Sequence, residues 1–482
     1  MAFLIGGANS AADTGYNVAN SCRFNAGDNP RFARTSDTPD NADKYTLSVW
    51  IKRSDVGATD NYHYIMSFDT GGNPREHIRF EDSTDVFTWY HRNASATAKS
   101  LTTNALYRDP SAWYHICCIY DSSQGTEANR QKIFINGTQV TSFATEEYVA
   151  QDEDSNLNNA SNNPKIGCLG NAAGTTGNFD GYMAEFHFVD GVAKAATDFG
   201  EFDSDSPTIW KVKEYGGSHG TNGFYLDFAD SSALGNDVSG NNNDVASTGL
   251  AAVDQTTDTP TNNFCTLNPL VNVPYTTYSE GNVFVDNTAT GASSHKSYFG
   301  NIAFSAGKWY WEAKALGGDK YTIGLTDARN QSDYQQIATT NDIVGYHAVS
   351  YPSGDAIGWY YDTIRKNGSV IEASLHTIAT NDIMMIAVDA NDGKVYFGYN
   401  GTWSKADSTT FDAAENDTTF TTGLLYLPAF SIEDCDWSAN WGNPAYDNSS
   451  SAAEENGYGD FEYAPPSGFL AICTKNLGSD GG

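Results

Sequence analysis

Three groups of side chains in this sequence have the types and spacing to do chemistry. The first lies in the acidic stretch 146–156, where Asp152, Glu153 and Asp154 follow Glu146 and Glu147. Consecutive hard oxygen donors of this kind suit calcium. The competing reading is a solvated acidic loop. The second group is Trp89 and Tyr90, followed by His91-Arg92-Asn93. On a strand, one of two neighbouring side chains faces outward, and an outward aromatic ring can stack on a sugar face. Tyr360, Tyr361 and Asp362 form the third group, a similar set far along the chain. Core packing or an ordinary subunit contact competes with ligand binding for both aromatic groups.

The catalytic signatures are missing. There is no His-Glu-x-x-His and no phosphate-cradling glycine loop. Asp389-Ala390-Asn391-Asp392-Gly393 brings its glycine one position too early for an EF-hand and lacks the closing glutamate. With 27 Lys+Arg against 60 Asp+Glu, the formal charge is −33. Such a surface repels nucleic acid and anionic lipid, so neither is an expected partner. No run of ~18 apolar residues is present, so no membrane insertion is expected.

Seven cysteines stand at 22, 117, 118, 168, 265, 435 and 473. The count is odd, two are adjacent, and no Cys-x-x-Cys occurs, which predicts buried reduced thiols and no disulfide framework. The first 20 residues have neither a basic n-region nor a long apolar core, which points away from export.

The elements that must position these residues are short strands. Aromatics make up 13% of the chain and there are 45 glycines, a profile of strands and tight turns. Tyr45, Leu47, Val49 and Ile51 alternate onto one face, and Ala112–Asp121 reads as a second strong strand. Cys117 and Cys118 fall within it and should face opposite ways. Ile133-Phe134-Ile135-Asn136-Gly137-Thr138 predicts a hairpin whose Asn-Gly supplies positive φ angles. Farther on, Trp309, Trp311 and Ala313 alternate onto one face. The boundaries expected are an N-terminal arm at 1–20, a first domain at 21–228, a polar connector at 229–280, a second domain at 281–477 and a tail at 478–482. Phe264, Leu267, Leu270 and Val271 should pin the far end of the connector.

Taken in order, Leu47-Ser48-Val49-Trp50-Ile51-Lys52, Trp113-Tyr114-His115-Ile116, Ile133–Gly137 and Gly181-Tyr182-Met183-Ala184-Glu185-Phe186 resemble the concanavalin-A-like, laminin-G-like jelly roll. Gly307-Lys308-Trp309-Tyr310-Trp311-Glu312, Ile323-Gly324-Leu325 and Asp392-Gly393-Lys394-Val395-Tyr396-Phe397 resemble a SPRY domain. The resemblance implies an all-β chain of two tandem β-sandwiches, laminin-G-like and then SPRY-like, joined by a long polar connector. The stretches Gly220–Phe228, Asp230–Leu234 and Asp258–Phe264 further resemble structural and tail-fibre proteins of marine tailed bacteriophages.

That likeness implies a non-enzymatic virion protein, assembled in host cytoplasm, whose partners are other virion proteins and a host-surface glycan or protein. By analogy with phage fibres it implies a homotrimer. The alternatives are a capsid or tail decoration protein, a glycan-degrading enzyme and a calcium-dependent adhesin. Laminin-G-like modules often carry a cation at the rim, which bears on Asp152–Asp154. Concanavalin-like glucanases need Glu-x-Asp-x-x-Glu, so that acid and nucleophile face one sugar. Glu201-Phe202-Asp203-Ser204-Asp205-Ser206 comes nearest, with serine in place of the second glutamate.

Overall fold

The computed structural model describes residues 4–5, 15–57, 62–271, 275–288, 295–318, 320–330, 343–345, 354–405 and 408–480. The chain is all-β: two compact sandwiches and one short helix, Thr474–Asp480, among the described residues.

The first sandwich packs two eight-stranded sheets. In one, here sheet A, Lys44–Arg53 lies between Trp113–Asp121 and Gly181–Asp190. In the other, sheet B, His63–Asp69, Arg75–Phe80, Val86–Arg92 and Ala98–Leu106 run as an antiparallel meander. The alternation read from sequence sets the core: Tyr45, Leu47, Val49 and Ile51 all point between the sheets and are buried with Ile78, Phe80, Phe87 and Trp89. Cys118 joins this core and Cys117 the opposite face, as the period of two requires. All seven cysteines are buried.

The outer face of sheet A is also buried. The hairpin Gly200–Phe202 and Trp210–Val212 folds over it, enclosing Trp50, Trp113, Cys117, Tyr182 and Trp210 in a second apolar cluster. Here the Asn136-Gly137 turn does double service. Both residues take positive φ (47° and 73°), and a Cβ on Gly137 would meet the Trp210 ring at 2.1 Å.

The polar stretch 229–280 is not a connector. Ala246–Thr248 pairs with Arg31–Ala33 and Gln255–Thr256 pairs with Ser21–Phe24, so residues up to 261 belong to the first sandwich. The physical reason is that side-chain hydrogen bonds fix much of this segment, with only scattered apolar anchors such as Leu234 and Val245 in the core. The amide of Asn241 donates to the carbonyls of Gly220 and Gly223, and that of Asn243 to Thr221 and Gly223, at 2.7–2.9 Å. Asparagines used this way carry no hydrophobic period. From 262 onward the chain belongs to the second sandwich, where Phe264, Leu267 and Val271 are buried as expected and Leu270 is 41% exposed. Of the expected N-terminal arm, residues 1–3 and 6–14 lie outside the described residues. Leu4–Ile5 pairs in parallel with Ile302–Ala303, while Val18 is buried against sheet A.

The second sandwich packs a nine-stranded sheet, sheet C, on a six-stranded one, sheet D. Trp309, Trp311 and Ala313 of Lys308–Gly317 enter the core between them. Tyr310 faces the other way, into a separate cluster with Tyr396, Trp403, Phe461 and Phe469, so the outer face of sheet C is covered too.

Candidate functional site: an arginine and tyrosine face on sheet B

Alternation decides the fate of the first aromatic pair. Trp89 points inward, is 0% exposed, and donates its Nε1–H to Glu76 Oε1 at 3.0 Å. It is therefore a core residue and cannot stack on a ligand, a correction to the sequence expectation. Glu76 also accepts from Tyr45 Oη, Ser155 Oγ and Asn156 N at 2.7–2.9 Å, and these hydrogen bonds compensate its burial. Tyr90, one residue on, points out of sheet B and is half-buried.

The register shows what surrounds Tyr90. One row across the outer face runs Lys165, Ser67, His77, Tyr90, Ser100. The row on one side is Asp69, Arg75, Arg92, and on the other Tyr64, Arg79, Thr88, Thr102. Tyr62, 39% exposed, extends the aromatic line beside Tyr64, with ring centroids 6.0 Å apart. His77 lies between Tyr64 and Tyr90, at 5.2 and 5.6 Å. The Arg79 guanidinium caps Tyr62 at 4.2 Å, and that of Arg75 lies 5.6 Å from the Tyr90 ring.

Hydrogen bonds hold the middle of this face rigid. His77 Nε2 meets Asp69 Oδ2 at 3.0 Å, and Arg79 Nη1 meets His77 Nδ1 at 2.8 Å. Since the guanidinium can only donate, Nδ1 accepts and Nε2 carries the proton. Burial, its largest influence, lowers the His77 pKa below the ordinary imidazole value, so the ring is neutral at pH 7. Burial alone would raise Asp69, but hydrogen bonds from His77 and the Gly71 N–H outweigh it and hold that carboxyl below its usual value. Burial pushes the Tyr64 phenol up to about 12. The face thus presents fixed rings, neutral donors and charged guanidinium groups.

The other expected sites look different. Asp152 and Asp154 are exposed and Glu153 is half-buried. The loop is held by its backbone: Tyr120 Oη donates to the Glu153 carbonyl at 2.8 Å and Asp152 N to that of Ser122 at 3.0 Å. Among the described residues no group of three or more His, Cys, Asp or Glu has an arrangement that could hold a metal ion. Tyr360, Tyr361 and Asp362 form the turn between Ala356–Tyr360 and Thr363–Lys366 of sheet D, with Tyr361 43% exposed at φ 56°. His295 stands 5.8 Å from Tyr360, but only this one turn supplies the aromatic surface.

Two arrangements resemble catalytic groups and are structural. Ser48 Oγ and His115 Nε2 are 2.8 Å apart, yet both residues are buried, and Trp210 Nε1 donates to His115 Nδ1 at 3.0 Å. Nε2 must then carry the proton, the wrong tautomer to deprotonate a serine. Burial also holds the His115 pKa down to about 3. Asp203 is tied to Lys211 at 3.0 Å across the Gly200–Val212 hairpin, so it braces that cover of sheet A.

The sheet B meander carrying this face lies inside a stretch with a recognisable relative. Residues 27–197 match the concanavalin A-like lectin/glucanases superfamily. Among solved structures, the SPRY domain of human HERC1 is 10% identical, covering 32% of this chain and 86% of that one, with a TM-score of 0.22. The TRIM65 PSpry domain is 16% identical, covering 36% and 91%, with a TM-score of 0.26. The native heptameric SAP-like pentraxin from Limulus polyphemus is 16% identical, covering 36% and 77%, with a TM-score of 0.27. No curated protein matches the sequence.

The sequence missed most of this face. Tyr62, Tyr64, His77, Arg75 and Arg79 stand two residues apart in their strands, a period-two pattern of ring and cation that could have been found. Which side of the sheet it occupied could not.

Proposed function

We propose that this protein is a non-enzymatic virion component, a tail fibre or spike, that attaches to host-surface glycan through the outer face of sheet B. One observation carries the reading: Tyr62, exposed, and Tyr90, half-buried, stand at the two ends of an aromatic line completed by the buried Tyr64 and His77, beside guanidinium and hydroxyl groups. Rings stack on pyranose faces, and the flanking donors bind hydroxyls. The match of residues 27–197 to a superfamily of lectins and glucanases supports a saccharide ligand. Other virion proteins, and copies of this chain in a homotrimer, are its assembly partners in this reading.

The test is a glycan screen with the intact chain, paired with Tyr62→Ala and Tyr90→Ala, the two rings of the line that remain accessible. Saccharide binding that falls at least about tenfold in either variant, some 1.4 kcal/mol, is the expected result. Binding unchanged in both would move the site elsewhere. Immunogold labelling of particles separates a fibre, labelled at appendage tips, from a decoration protein labelled evenly over the capsid.

A further inference from the structure

The same face selects for charge. Five cations point out of sheet B or its neighbouring strands: Arg31, Arg75, Arg79, Arg92 and Lys165. Among the described residues the carboxylates paired with them are Asp69, 3.7 Å from Arg75, and Glu81, 3.0 Å from Arg79. A local excess of positive charge is notable in a chain with 27 basic and 60 acidic residues.

Its arrangement is unfavourable in isolation. Arg75 and Arg92 stand directly opposite each other on adjacent strands, and like charges in that position repel. Their relief within the protein is incomplete. Asp69 already accepts from His77 and the Gly71 N–H, and its distance to Arg75 exceeds a hydrogen bond. Arg75 Nε is buried without a hydrogen-bond partner. Arg92 has no carboxylate within ion-pair distance among the described residues, and its Nε reaches only the Ala96 carbonyl, at 3.4 Å. Arg31 and Lys165 likewise spend their side-chain hydrogen bonds on backbone carbonyls, of Asn29 and Asn171. The Arg75 guanidinium over the Tyr90 ring, with Arg92 paired across from Arg75 on the next strand, offers cations beside a stackable face, which suits an anion attached to a ring.

We infer that the sheet B face takes an acidic saccharide, a polyuronate or sulfated glycan, with Arg75 and Arg92 holding the anionic group and Tyr62 and Tyr90 the sugar rings. This rests on the glycan reading of the same face. Charge-assisted hydrogen bonds to one anionic group contribute about 1.5–3 kcal/mol, so removing one arginine should cost about tenfold or more in affinity.

The experiment is calorimetric titration of the intact chain with polygalacturonate and, separately, with neutral dextran of similar length. Variants Arg75→Gln, Arg92→Gln, Arg92→Lys and Tyr62→Ala are titrated alongside. Polygalacturonate should bind at least about tenfold more tightly than dextran and weaken as salt rises from roughly 50 to 300 mM. Either Gln variant should abolish that preference, Arg92→Lys should keep part of it, and Tyr62→Ala should weaken both ligands. Equal binding of both polysaccharides, unaffected by the Gln variants, would overturn the charge inference and leave the glycan reading standing. Binding of neither, with polyglutamate bound instead and indifferent to Tyr62→Ala, would overturn both in favour of an acidic protein partner.

Discussion

The two sheets of the first sandwich treat the charges on their outer faces in opposite ways. Under the cover of sheet A, Lys52 is 1% exposed and is answered at 2.7 Å by Asp258, which also accepts from Trp113 Nε1. On sheet B, Arg92 has no carboxylate within ion-pair distance among the described residues and Arg75 Nε is buried without a hydrogen-bond partner. The second sandwich repeats the covered solution. Sheet D carries Ala429, Gly324 and Gly358 in one cross-strand row, and a Cβ on Gly358 would lie 2.7 Å from the Val344 carbonyl above it. Where the chain roofs a sheet, the buried Lys52 is paired with a carboxylate, although neutral atoms such as Trp50 Nε1 and Thr322 Oγ1 are left without a hydrogen-bond partner. Where it does not, side chains keep the groups a ligand needs. The part of sheet B where Tyr62, Arg75, Tyr90 and Arg92 stay at least partly exposed is therefore the informative one, since burial would have demanded balanced charge.

The sharpest way to break this comparison is to unbalance the covered face. Asp258→Ala leaves Lys52 buried without its counter-charge, a loss of about 3–5 kcal/mol. The expected result is a large fall in the urea midpoint of the first sandwich, read by hydrogen exchange in the intact chain. Combining Lys52→Met with Asp258→Leu should restore most of it, because a matched apolar pair removes both desolvation costs. If Asp258→Ala costs no more than a surface substitution, the cover of sheet A is not holding a buried charge pair.

A second covered charge responds to pH. Glu312, on the outer face of sheet C, is fully buried and accepts from Tyr310 Oη and from the backbone N–H groups of Glu462 and Tyr463 at 2.8–2.9 Å. Burial outweighs these donors and raises its pKa from 4.5 to about 7. A group that holds its proton more tightly when folded adds stability below its unfolded pKa of 4.5 and loses it as pH rises through about 7. The difference amounts to roughly 3 kcal/mol. Amide protection at Glu462 and Tyr463 should thus fall between pH 4.5 and about 7, and Glu312→Gln should flatten the fall. A profile equally steep in the Gln variant would place the titration on another group.

The sequence made the cores legible and the covers illegible, for a physical reason. Tyr45, Leu47, Val49 and Ile51 declare their face because one side of a strand must be apolar, and Trp309, Trp311 and Ala313 do the same. The roof over sheet A depends on where residues 196–215 land, a long-range event with no local period. Asn241 and Asn243 hold their segment by side-chain hydrogen bonds, so the stretch 229–261 read as a linker when it is part of a sheet. Trp89 and Tyr90 show the limit in miniature: alternation said that one faces out, and only the fold said which. The sequence offered the acidic loop and the Tyr360 turn as equals of Tyr90, because spacing alone does not show that Arg75, Arg79, Tyr62, Tyr64 and His77 share one face.

The smallest expected effect is the most discriminating. Arg92→Ala removes a half-buried cation that has no carboxylate partner among the described residues and lies opposite another cation. A side chain kept for folding would lose stability when cut back to Cβ. Here the loss of packing along its stem is offset by relief of the repulsion with Arg75, so the change in unfolding free energy should stay within about 0.5 kcal/mol. Equilibrium urea denaturation at low and high salt checks it, and the variant should gain on wild type at low salt, where the repulsion is least screened. A loss well beyond that size at both salts would mean that Arg92 belongs to the fold, and that sheet B is as self-sufficient as the sheets the chain has roofed.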